Sequence, residues 1–153
     1  MSVYSAAKDA RSAGLVLALA FETLGDLELD ERTVTEDEVK GLLTVNMIAA
    51  EACGQKVFSA DELKGQFSSY QQWWAQDSIQ VSDVGETLVA AAETLKGAWK
   101  KGSEEKKHLL SSLFMLAFGD EELTQNEVTS ISMVASVMGA SAELKQLLDE
   151  LNS

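Results

Sequence analysis

A short acidic pattern occurs twice in this chain, and each occurrence leads into a helix start. Leu24-Gly25-Asp26-Leu27-Glu28-Leu29 returns as Phe118-Gly119-Asp120-Glu121-Glu122-Leu123. The first runs on to Thr35-Glu36-Asp37-Glu38-Val39, the second to Thr124-Gln125-Asn126-Glu127-Val128. Asp30 to Val34 are additional in the first copy. Upstream, both copies carry an apolar segment ending on Gly-Asp, Leu15 to Asp26 and Leu109 to Asp120. A chain built this way folds around two helix–acidic loop–helix units.

The rest of the sequence fits an all-helical domain. There is no proline to kink a helix, and the apolar residues do not alternate as in strands. At 153 residues with 46% hydrophobic side chains, a single domain spanning 1–153 can bury a sizeable core. About seven helices are expected. The first runs from about Ser5 to Leu24. The second starts at Thr35 and turns Val39, Leu42, Asn46, Ala49 and Cys53 to one face before Gly54 closes it. The third runs from Ser59 to about Ala75, and the fourth from Ser82 through Trp99 towards Gly102. The fifth opens at Ser103, the sixth at Thr124 and the last at Ser141. At Thr35, Ser59 and Thr124 the pattern Ser/Thr-x-x-Glu is that of a capping box.

The net charge of −13 is concentrated. Glu22, Asp26, Glu28, Asp30, Glu31, Glu36, Asp37 and Glu38 face only Arg32 within residues 22–38, and residues 120–127 add four acids and no base. Such a surface repels nucleic acid and anionic lipid, and it attracts cations or basic protein partners. No nucleic-acid role is expected. Ala13 to Phe21, the longest uncharged apolar stretch, falls short of a membrane span. The first residues lack the layout of a signal peptide, so the expected setting is cytoplasmic.

Catalytic chemistry finds little material. The lone Cys53 sits in an apolar helical context that suits a buried structural thiol. The single histidine, His108, follows Lys106-Lys107 at a helix start and has no evident partner for a triad or a metal site. An enzyme is not expected. Five of the twelve basic residues lie between Lys96 and Lys107, where those closing a helix suit its dipole. Of the adjacent Trp73 and Trp74, only one can share the face of Phe67 and Tyr70, which leaves the other as a contact candidate.

The acidic residues have two explanations. Glu38 and Glu127 are accounted for by capping boxes, and acids in a first turn favour the helix dipole. Alternatively, Asp26, Glu28 and Asp30 alternate so that an extended loop aims three carboxylates inward, and Asp120 and Glu122 repeat the alternation with Glu127 just beyond. Oxygen-rich, irregular settings suit calcium, and with no nearby His or Cys a zinc or copper site is disfavoured. Asp26, Glu28, Asp30, Asp120, Glu122 and Glu127 are the candidate ligands, with Glu38 in second line because its cap already occupies it. The loops are not EF-hands: counting from Asp26, Glu31 falls where that loop needs glycine and Asp37 where it needs glutamate.

The segment Ala117-Phe118-Gly119-Asp120-Glu121-Glu122-Leu123-Thr124-Gln125-Asn126-Glu127, running on to Val134-Ala135-Ser136-Val137-Met138-Gly139, resembles the tellurite-resistance TerB family. Asp26 to Glu38 match that signature more loosely, and in both copies glycine precedes the aspartate instead of following it. The resemblance implies a seven-helix domain with two pseudo-symmetric helix pairs. It also implies a bacterial or phage-borne stress-response role, with cation binding at the acidic clusters. The implied setting is an assembly at the inner face of the membrane. A metal-free helical adaptor, whose acidic surface and a tryptophan hold a basic partner, is the alternative.

Overall fold

Nine consecutive residues, Ala13 to Phe21, are buried on every side, and the helix that carries them is the axis of the fold. A helix apolar all round has no face to offer solvent and must be surrounded by others. The computed structural model describes residues 3–25, 35–118 and 124–151. Among these there are eight helices and no strand: α1 (Val3–Ala7), α2 (Ala13–Gly25), α3 (Glu36–Ala52), α4 (Ala60–Trp74), α5 (Val81–Ala98), α6 (Ser103–Phe118), α7 (Gln125–Val137) and α8 (Ser141–Leu151). They form one compact all-α globule. α2 packs against α1, α3, α4, α5, α6 and α7, so the long apolar stretch is the centre of a core. No helix among the described residues is long and apolar enough to cross a membrane.

The count is eight because the expected first helix is broken. The Asp9 backbone carbonyl accepts from Ser12 and Ala13 N–H, at 3.0 and 2.8 Å. Its carboxylate accepts from Arg11 N–H at 3.1 Å. An aspartate that bonds the backbone two residues on competes with the helix and turns the chain. The turn aims Arg11 at the α3–α4 connection, where it donates to Lys56 O, lies over the Phe58 ring and pairs with Glu62. Asn46, fully buried on α3, ties the same places together: its Oδ1 accepts from Phe58 N–H at 3.2 Å, while its amide points at Arg11 O.

α5 begins earlier than expected. Gln80, not Ser82, is its N-cap residue, because Asp83 reaches back to accept from the Gln80 N–H at 2.7 Å. The helix stops at Ala98, where the chain turns so that Lys100 N–H donates to Ala52 O at the end of α3.

α2 lies close against α3 at Gly14. A Cβ there would overlap that of Ala49, so only glycine permits this spacing. Further along α2, Thr23 donates to the Leu19 carbonyl and shares a hydrogen bond with the fully buried Tyr70 hydroxyl of α4. Burial pushes the Tyr70 phenol well above its ordinary pKa, with Thr23 opposing in part.

Candidate functional site: the two threonine-capped helix starts

α3 and α7 are built alike at both ends. Thr35 and Thr124 adopt the same extended conformation, with φ −82° for both and ψ 163° and 161°. Thr35 Oγ1 accepts from Glu38 N–H at 3.1 Å while Glu38 Oε1 accepts from Thr35 N–H at 3.3 Å. At α7 the corresponding bonds are 3.2 Å to Thr124 Oγ1 and 3.0 Å to Glu127 Oε1. Both helices then close on a left-handed glycine, Gly54 and Gly139, each at φ 69°. The next residue donates five positions back in each case, Gln55 to Ala50 O and Ala140 to Ala135 O.

Their surroundings differ. Glu38 is half-exposed, whereas Glu127 is only 7% exposed. The Glu127 side chain lies flat on Gly25, the last residue of α2. A Cβ at Gly25 would stand 3.0 Å from Glu127 Cγ and 3.2 Å from both Cδ and Oε2. The missing side chain is what lets the carboxylate in. The end of α2, where the first acidic segment begins, therefore meets the start of α7, where the second one ends. Arg11–Glu62, Lys107–Glu150 and His108–Glu104 form ion pairs, and among the described residues Glu127 forms none.

Of the seven carboxylates singled out in the sequence, Glu38 and Glu127 are described. Asp26, Glu28, Asp30, Asp120 and Glu122 lie outside the described residues. Within the described set no group of three or more His, Cys, Asp or Glu side chains stands close enough to hold a metal ion. Both described candidates are occupied as caps, as their spacing predicts.

Glu38 looks onto a cleft of about 550 Å³ between α3 and α6. Gly41 and Leu116 are among its lining residues, and a Cβ at Gly41 would stand 2.7 Å from Leu116 Cδ1. Glu22, Asp37, Glu38, Lys40 and Met115, the last 73% exposed, also line it. The sequence reasoning missed this cleft. Its signal was Met115 itself, a large apolar residue on α6 that stands apart from the buried Leu109, Leu110, Leu113, Phe114 and Ala117.

The remaining candidates have structural roles. Cys53 is buried beside Leu95 O, and burial raises its thiol pKa, with Lys100 opposing. His108 is exposed on the second turn of α6, near Glu104. Lys106 donates to Met138 O at the end of α7, where a cation suits the dipole. Trp73 and Trp74 are both half-buried against the core, Trp73 tilted over Tyr70 at 5.3 Å. Neither offers an open aromatic anchor.

No family model, curated protein or solved structure matches the chain.

Proposed function

We propose that the chain is a TerB-like stress-response domain of the tellurite-resistance type that binds calcium, or another hard divalent cation, at its acidic segments and catalyses no reaction. One observation carries the proposal: Glu127, buried against Gly25 with no counter-cation among the described residues. A buried carboxylate is costly unless its charge is met. Here a single backbone N–H and the positive end of α7 meet part of it. The carboxylate lies against Gly25, which precedes the first acidic segment in sequence, and a cation held there would compensate Glu127. Asp26, Glu28, Asp30, Asp120 and Glu122 supply the remaining oxygens, with Glu38 further out. The matched ends of α3 and α7 support the pseudo-symmetric pairing that the resemblance implies. Peripheral assemblies at the inner membrane face are the setting that goes with it.

Titration calorimetry on chelator-treated protein at fixed ionic strength tests this. Calcium is expected to saturate in the micromolar range, magnesium to bind far more weakly, and neutralising Asp26, Glu28 and Asp30 together to abolish the calcium heat. Equal, weak heats from both ions would reject the proposal.

A second reading is favoured by the acid-lined cleft: a metal-free adaptor that holds a basic protein partner.

A further inference from the structure

We infer that Gly25 is a positioning residue of the cation site: by carrying no side chain, it lets Glu127 hold one carboxylate oxygen against the end of α2, free to bind a hard cation. This rests on the cation reading and names a residue that sets the affinity without touching the ion. The two oxygens of Glu127 stand in different settings. Oε1 closes the capping box, accepting from the Thr124 N–H at 3.0 Å. Oε2 accepts no hydrogen bond among the described residues, although the side chain is only 7% exposed. An anion suits the start of a helix and not its end, which carries the negative side of the backbone dipoles. Glu127 has the favourable start of α7 on one side and the unfavourable end of α2 on the other. No basic residue lies in the last turn of α2 to offset this. A cation on Oε2 answers the carboxylate and the end of α2 together.

Glycine at position 25 has no cause in its own backbone. The left-handed glycines among the described residues are Gly54 and Gly139, and Gly25 is not one of them. Within a helix, glycine is about 1 kcal/mol worse than alanine. What it supplies here is room, since a Cβ would stand 3.0 Å from Glu127 Cγ and 3.2 Å from Oε2. An added methyl group therefore displaces Oε2, while a flexible side chain can keep Oε1 on the Thr124 N–H. The fold is spared and the ligand is moved. Groups that orient a metal ligand are worth about tenfold to a hundredfold in metal affinity.

Calorimetric titration of calcium into the chelator-treated full chain tests this, with the melting temperature of each calcium-free variant measured beside it. Gly25→Ala is expected to weaken calcium binding about tenfold while the melting temperature stays close to that of the wild type. Gly65→Ala, in a helix of its own with nothing within 4 Å of the added Cβ, controls for helix propensity and should leave the calcium affinity unchanged. Because Gly25 acts through the Glu127 carboxylate, Gly25→Ala should cost no further affinity in the Glu127→Gln background. Unaltered calcium affinity in Gly25→Ala, or a further loss in that background, would overturn the positioning role and leave the cation reading standing. Absence of calcium binding in the wild type would overturn both.

Discussion

The starts of α3 and α7 are the same local structure in two environments. Each is a Thr-x-x-Glu capping box with superimposable cap angles, yet Glu38 lines a cleft and Glu127 is packed against the end of α2. Local sequence sets the cap, because threonine and glutamate three residues apart reach each other's backbone N–H whatever lies outside. Tertiary packing sets the burial, and at α7 that packing depends on a residue far upstream in sequence, Gly25. The difference separates a carboxylate beside a cleft from one packed against the end of another helix.

The largest expected effect bears on the frame that holds the two starts apart. Gly14→Ala places a methyl group inside that of Ala49, with helix backbone on both sides, so α2 and α3 must separate. A loss of about 3 kcal/mol in denaturant unfolding is expected. Gly25→Ala is the contrasting case. It meets only the flexible Glu127 side chain, and the better helix propensity of alanine offsets part of the strain. Its net change should stay within about 1 kcal/mol, and a loss as large as that of Gly14→Ala would mean that the Glu127 carboxylate is rigidly fixed.

Between these falls the direct comparison of the two caps. Glu127→Ala removes a buried side chain packed on Gly25 together with the acceptor of the part-buried Thr124 N–H and should cost about 2 kcal/mol, whereas Glu38→Ala, at the more exposed cap, should cost about 0.5 kcal/mol. Equal losses in parallel unfolding curves would erase the distinction drawn between the two starts.

The smallest effect belongs to a third capping box, at α4, which is fully exposed. The Ser59 N–H, followed by the Arg11 hydrogen bond and charge, holds the Glu62 carboxyl below its ordinary pKa. A depressed carboxylate pKa stabilises the fold above the unfolded-state value, and that contribution fades as pH falls through the folded-state value. The stability difference between the wild-type chain and Glu62→Gln should therefore shrink on acidification. A difference that grew towards low pH would contradict the assignment.

Much of this was legible in the sequence where the cause is local. The boxes at Thr35, Ser59 and Thr124 and the glycine stops at Gly54 and Gly139 rest on contacts within a few residues. Two helix boundaries were not legible, for a shared reason. Asp9 and Asp83 each use a short carboxylate to capture nearby N–H groups, which breaks one helix and starts another early. Asp is compatible with either outcome until its neighbours are placed. At the candidate site, the residue types and caps at Glu38 and Glu127 could be read in advance. Their unequal burial could not, because Gly25 and Gly41 act by what they lack, and the helices they admit come from distant parts of the chain.

The central claim is that Glu127 is the buried member of a cation site and Glu38 is not. Thermal melts of chelator-treated wild-type, Glu127→Gln and Glu38→Gln proteins, with and without saturating calcium, test it most directly. A ligand bound only by the folded state adds about 2.7 kcal/mol at a hundredfold excess over Kd. Wild type and Glu38→Gln are expected to show the full calcium-induced rise in Tm, and Glu127→Gln to lose most of it. An undiminished rise in Glu127→Gln, or no rise in the wild type, would contradict the account.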